Sequence, residues 1–307
     1  MSGYILSRLI SALIVIFGVV FIVFMLIHMV PGDPVEVMLG ESASSVDREM
    51  LRQTLGLDKP LTEQFYQYLY KLSQFDLGTS LHSKQPVSEL LAERISPTVE
   101  LTLAALLVAF FMAFPLGILA ALKKDRWQDT TAMTFSLLGI SIPNFLMGPL
   151  LILLFSIMLG WFPVSGRDGL ISLVLPALTL GTALAAILSR MIRASLLEVL
   201  NEDYIRTARA KGLGTVRVIG LHALKNAMLP VVTLIGLQIG ALLAGAVITE
   251  MVFSWPGLGQ LTIESIQKRD YPVVQACILL ISTTYVIINT LTDIVYGALD
   301  PRIRLSQ

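Results

Sequence analysis

The residues able to do chemistry in this chain are few and scattered. There are three histidines, His28, His82 and His222, and one cysteine, Cys277. The histidines are too far apart for HExxH or a related metal pattern. A single cysteine allows neither an internal disulfide nor a thiolate cluster. His28, at the outer end of an apolar run, reads as interfacial rather than as a ligand. No GxSxG occurs, so serine-hydrolase chemistry lacks its signature. The dipeptide Gly-Lys is absent, which excludes the GxxxxGK[ST] loop that cradles ATP phosphates. Any ATP hydrolysis linked to this chain must take place on another polypeptide, and no cofactor is expected here.

Carboxylates inside apolar runs are the remaining candidates, because ion-coupled carriers place such groups mid-membrane. Glu100, Glu250 and Asp293 lie only near the ends of their runs, the first two near the outer face and Asp293 near the inner one. Glu250 precedes VFSWPGLG, where Trp255, Pro256 and Gly257 make a turn at the outer interface. Two readings stand: an aromatic-belt residue with its loop, or an outer gate formed by Glu250, Trp255, Pro256 and Gly257. Mid-run polar residues such as Thr179, Thr182, Gln238, Thr283, Thr284 and Asn289 line a hydrated route or hydrogen-bond between helices; the sequence does not choose.

The elements that carry these residues are membrane spans. The 307-residue chain is 55% hydrophobic and 14% charged, where a soluble domain carries about 25% charge, and its mean hydropathy is +0.76. Lys plus Arg and Asp plus Glu balance at 22 each, so there is no bulk positive field for nucleic acid. Six runs reach the roughly 20 apolar residues a helix needs to cross a bilayer: Leu9 to Val30, Val99 to Leu122, Ala132 to Leu159, Ile171 to Leu188, Leu229 to Phe253 and Val273 to Ala298. Pro143 and Pro149 predict a kink or break in the third. The first run, preceded by Arg8, is too long for a signal peptide and lacks a small-x-small site, so it reads as a retained helix. With the N-terminus inside, the inner segments hold 13 Lys and Arg residues and the short outer loops only Arg167, Lys268 and Arg269. The positive-inside rule then puts both termini in the cytoplasm.

Residues 31–97 are too long for a bare connector. A turn capped by Ser44 or Ser45 is expected through Leu51 to Leu55, stopped at Gly56. A second helix from near Asp58 and Pro60 shows Leu61, Phe65, Tyr68, Leu69 and Leu72 on one face. This outer segment reads as a cap on the bundle, a docking surface for an extracytoplasmic partner, or both.

The inner segment from Arg190 to Pro230 is the most informative. Asp203 suits an N-cap, Tyr204 to Lys211 a short helix, and Gly212 its C′ residue. Leu196, Leu200, Tyr204 and Ala208 form an apolar stripe, with Arg206, Arg209 and Lys211 off it. Thr215 suits the cap of a further helix, Val216 to Ala227, leading to Pro230. Headgroup anchoring would explain the charges. A capped, glycine-terminated helix with alanines exposed beside them suits instead a rigid peg in a groove of another protein.

YIRTARAKG (Tyr204 to Gly212) followed by HALKNAMLP (His222 to Pro230) closely resembles the cytoplasmic loop of inner-membrane permease subunits of bacterial ABC importers, in the dipeptide/oligopeptide/nickel group. The same group is matched by MVPGDP (Met29 to Pro34), LGLDKPL (Leu55 to Leu61), FDLGTSL (Phe75 to Leu81), GISIPNF (Gly139 to Phe145), LPALTLG (Leu175 to Gly181), VFSWPGLG (Val252 to Gly259), RDYPVVQA (Arg269 to Ala276) and DPRIR (Asp300 to Arg304). Importers of other substrate classes carry Glu-Ala-Ala where this chain has Arg206, Thr207 and Ala208, which narrows the subfamily.

The resemblance implies an all-α, polytopic type I importer permease fold with six transmembrane helices. Residues 1–98 would form the first span plus the extracytoplasmic segment. Residues 99–307 would form the permease domain, with a coupling loop at 190–228. It implies no catalysis in this chain. The implied partners are a second homologous permease, two cytoplasmic ATPase subunits that bind ATP and Mg, an extracytoplasmic substrate-binding protein and membrane lipid. Coupling to the ATPase would rest on Tyr204, Arg206, Thr207, Ala208, Arg209, Ala210, Lys211 and Gly212, with Asn226 and Pro230 completing the loop. Peptides are the expected solutes; nickel chelates and glutathione share the motifs. A self-contained secondary carrier or channel is a rival that predicts ion-driven uptake by this chain alone.

Overall fold

Where the sequence offers long apolar runs, the backbone closes its own hydrogen bonds as helix, as lipid requires of any span that is not a closed barrel. The computed structural model describes residues 2–29, 35, 49, 50, 52 and 58–299. The helices are α1 (Ser2–Met29), α2 (Leu61–Ser73), α3 (Val87–Leu122), α4 (Trp127–Ser141), α5 (Asn144–Leu151), α6 (Leu170–Val199), α7 (Asp203–Ala210), α8 (Thr215–Arg217), α9 (Leu224–Val252), α10 (Leu258–Gln267) and α11 (Tyr271–Leu299). Wide π-type turns extend α5 over Ile152–Met158 and join α8 to α9 over Val218–Ala223. No strand occurs among the described residues, only an isolated bridge between Thr79 and Pro86. The expected turn at Ser44 to Gly56 and the motifs Met29 to Pro34 and Asp300 to Arg304 lie wholly or mostly outside the described residues.

Among the described residues five helices are long and apolar enough to cross a membrane, or six if α4 and α5, bent by 103° at a short break, count as one span. The break falls at Pro143 alone. Ile142, forced out of the helical region by the proline after it, is extended at φ −91°, ψ 113°. Pro149 stays inside α5. α3 begins at Val87, well before Val99, and carries Pro97 within it. The carbonyl that Pro97 leaves without a helical partner belongs to Glu93, an exposed residue. Pro230 likewise lies inside α9 and not at its start.

The central seam joins α3 to α6 through small residues. Ala105, Ala109 and Ala113 are buried at four-residue spacing against Leu184, Leu188 and Ile192. A Cβ on Gly117 would lie 2.8 Å from Ile192, and one on Gly181 would lie 2.7 Å from Val108. Such contact lets two backbones approach where no hydrophobic drive exists between helices. Thr179 and Thr182 bond back to Leu175 and Thr179 of their own helix, so they tie no helices together.

α1 packs antiparallel on α11. Arg8 meets Asp293 at 3.3 Å, Tyr4 donates to the Asp293 carbonyl, and Gln275 donates to the Val23 carbonyl near the other end. Outside the bundle, α2 lays Phe65, Tyr68, Leu69 and Leu72 against α1, with Phe65 among Phe17, Phe21 and Phe24. Leu61, expected on that face, is half exposed. Burial pushes the Tyr68 phenol up to about 12. His28 hydrogen-bonds the Phe24 carbonyl and the Gln64 side chain, bridging α1 to α2.

Candidate functional site

The short inner helix is built on a buried face and an exposed one. Ile205 is fully buried and Ala208 nearly so, among Ala121 of α3, Leu196 of α6, and Val218, Ala223 and Ala227. Tyr204, Arg206, Thr207, Arg209, Ala210, Lys211 and Gly212 are exposed. The expected stripe through Tyr204 is thus replaced by one through Ile205. α6 ends at Val199, and the break before Asp203 resets the helical phase. Ala208, a member of the expected apolar stripe, does point into the protein, and Ala210 is the alanine exposed beside the charges.

Asp203 is the first helical residue, not the cap. Glu202 holds that place without a side-chain cap bond, and Asp203 instead pairs with Arg206 at 3.5 Å, while its carbonyl accepts the Thr207 hydroxyl. Thr215 similarly begins α8 after Gly214, which makes no side-chain cap bond. The exit from α7 is a Schellman motif: Leu213 N–H donates to the Ala208 carbonyl and Gly212 N–H to that of Arg209. It requires the left-handed φ of +78° that Gly212 adopts. Asn226 donates to the Tyr204 hydroxyl at 2.7 Å, so the two parts of the loop motif are tied directly. Pro230 is exposed farther along α9.

α8, the π-type turn and α9 run without a break from Thr215 to Val252. The residues expected at the outer gate follow directly. Glu250 is fully buried. Its carboxyl accepts from the Thr98 hydroxyl at 2.7 Å, from Gly259 N–H at 2.7 Å and from Gln260 N–H at 3.0 Å. Thr98 in turn accepts Leu258 N–H. Glu250 therefore caps the first turn of α10 and joins it to α3. Trp255 is also fully buried, with its indole N–H donated to the Pro97 carbonyl at 2.8 Å. It is not a belt residue at the lipid surface. A Cβ on Gly257 would strike the Glu250 carboxyl. Pro256, between them, is partly exposed. At the same end of the bundle Arg167 sits over the Trp255 ring and forms a 2.6 Å ion pair with Glu100.

Three features are not read from the sequence. α10 follows the turn at Trp255 to Gly257, and Leu258, Leu261, Thr262 and Ser265 mark its buried face. Asp129, almost fully buried, accepts both Nε and Nη2 of Arg193 at 2.7 and 2.6 Å, fixing α4 to α6. Ser80 donates to Asp270 at 2.5 Å and His82 to the Lys268 carbonyl at 2.6 Å, which locks FDLGTSL against RDYPVVQA. Among the described residues no group of three or more His, Cys, Asp or Glu is arranged to hold a metal.

The described residues form a helical bundle with membrane-length helices and a short helix, half buried and half exposed, at one end of the rod α8–α9, the architecture of a polytopic membrane subunit. Residues 113–305 match the family described as binding-protein-dependent transport system inner membrane component, and residues 1–102 match its N-terminal counterpart. The chain belongs to this family: it is an inner-membrane permease subunit of an ABC importer of the dipeptide/oligopeptide group. It is 46% identical over 304 residues, 99% of each chain, to the glutathione transport system permease protein GsiC of Escherichia coli strain K12. It is 45% identical, with the same coverage, to that of Shigella flexneri serotype 5b. The fold is shared with the inward-facing methionine ABC transporter MetNI, at TM-score 0.60 and 18% identity over 69% of this chain and 97% of that one. An amino acid ABC transporter solved with histidines gives TM-score 0.52 at 15% identity, over 70% of this chain and 94% of that one.

Proposed function

We propose that this subunit lines half of a pathway for small peptides, and that the exposed face of α7 receives the ATP-driven movement of a separate ATPase. The carrying observation is the division of α7 into two faces. Ile205 and Ala208 weld it to α6 and to the rod α8–α9, while Arg206, Thr207, Arg209, Ala210 and Lys211 face outward. A peg pressed from outside would move the rod as one body, and the Tyr204–Asn226 bond stiffens that joint. Gly212 and Pro230 shape the two ends of the loop.

In this reading two cytoplasmic ATPase subunits hold ATP and Mg, a second homologous permease completes the pathway, and an extracytoplasmic binding protein delivers the solute. Both termini lie in the cytoplasm, which agrees with the antiparallel pairing of α1 and α11. Glu250, Trp255, Pro256 and Gly257 form the outer end of the rod, where movement of α9 would open or close the mouth. Glutathione is the first solute to test, because the relatives named above carry that assignment and glutathione is a tripeptide; nickel chelates are the second.

The test is ATP-dependent uptake by the reconstituted complex carrying Arg206→Glu and Arg209→Glu. Uptake should fall to background while membrane insertion stays normal. Undiminished uptake would refute coupling through α7.

A further inference from the structure

On one flank of α6 an open cavity of about 450 Å³ is walled by Met133 and Ile140 of α4, Ile187 and Met191 of α6, and Leu234 of α9. Two arginines, Arg190 and Arg193, line the same wall. Their electrostatic states differ. Arg193 is neutralised by the bidentate pair with nearly buried Asp129. Arg190, one turn nearer the outer end of α6, is exposed and makes no ion pair or hydrogen bond among the described residues. The cavity therefore carries one uncompensated positive charge set in a wall of methionine, isoleucine and leucine.

An unpaired guanidinium at the lip of an open, otherwise apolar cavity, just beyond the apolar run Ile171 to Leu188, offers a passing ligand of opposite sign a place to bind. A guanidinium in apolar surroundings holds a planar carboxylate by two parallel hydrogen bonds. The neighbouring Arg193–Asp129 pair displays that geometry in the same wall. Gln238, one turn beyond Leu234 on α9, continues the face with a neutral amide.

We infer that Arg190 receives a carboxylate of the transported solute on the inner half of the pathway, making this subunit selective for peptides with a free carboxylate. The inference rests on the importer reading above and names a specificity residue for it. The site is weak by design of its surroundings: one wall only, open to water, with no second cation free to trap the solute.

The test uses the full complex in proteoliposomes, with glutathione as probe and the series Arg190→Lys, Arg190→Gln and Arg190→Glu. Uptake at saturating loaded binding protein is expected to fall in that order. Lys should keep most of the rate, Gln should lose about tenfold, the loss of one charge-assisted bond pair, and Glu should lose more. Arg190 stands within α6, not in the coupling loop expected at 190–228, whose short helix begins at Asp203, so assembly of the complex and ATP hydrolysis stimulated by the binding protein should be unchanged throughout. Equal uptake by all variants would overturn the inference. So would a fall that tracks assembly or ATP hydrolysis, which would mark a contact with a partner subunit. An effect that grows with the anionic lipid fraction of the vesicles would assign Arg190 to headgroups and overturn it as well. Absence of glutathione uptake by the unmodified complex is a separate failure, which refutes the solute reading itself.

Discussion

Replacing Glu250 by alanine removes one carboxyl that accepts three hydrogen bonds in a fully buried place. The donors left behind are the Thr98 hydroxyl and the N–H groups of Gly259 and Gln260. Each buried donor without a partner costs about 1–3 kcal/mol, so with three donors stranded Glu250→Ala should destabilise this turn by about 3–9 kcal/mol. Glu250→Gln keeps an oxygen for the two amides but turns an NH₂ toward Thr98, whose hydroxyl proton then lacks its acceptor. That variant should lose only about 1–2 kcal/mol. Thermal unfolding of the purified protein in detergent reads the total. Amide exchange at Gly259 and Gln260 reads the place, and it should accelerate strongly in Glu250→Ala and slightly in Glu250→Gln. Equal stability and unchanged exchange in both variants would refute the assignment of Glu250 as the cap of α10.

Two further outcomes follow from the packing. Ala208→Leu, on the buried face of α7, should lower thermal stability by about 1–3 kcal/mol through overpacking, whereas Ala210→Leu should leave stability unchanged and impair ATP-dependent uptake; the reverse pattern would contradict the division of faces. In a double-mutant cycle, Asp129→Asn and Arg193→Gln should show a coupling of about 1–3 kcal/mol by thermal unfolding, and simple additivity would mean that the bidentate pair does not hold α4 to α6.

Much of the bundle is legible in the sequence because lipid imposes simple rules. Runs of about 20 apolar residues had to be helices, and Pro143 had to interrupt one of them. The helix limits were less legible. Hydropathy reports lipid contact, so it stops at Val99, although α3 continues outward to Val87 on hydrogen bonds that water tolerates. The short inner helix was found from Asp203, Gly212 and its helix-forming content. Its inward face was misassigned because the four-residue stripe from Leu196 was carried across a break at Leu200 to Glu202. What could not be read was long-range pairing. Asp129 with Arg193 and Ser80 with Asp270 are separated by many residues, and each member taken alone looks like an ordinary polar residue of a loop or helix end. Trp255 shows the same limit: WPG reads as an interfacial turn, and only the Pro97 carbonyl, brought close by α3, makes it a buried anchor.

The central claim, that movement enters through the exposed face of α7, is tested most directly by a cross-link. A cysteine at Ala210, with Cys277→Ala removing the native thiol, should form a bifunctional thiol cross-link to a cysteine in the groove of the ATPase subunit. The yield should change between nucleotide-free and ATP-bound complexes, while a cysteine at buried Ala208 should give none. Failure of the Ala210 cysteine to cross-link to any ATPase position, in a complex that still transports, would contradict the account.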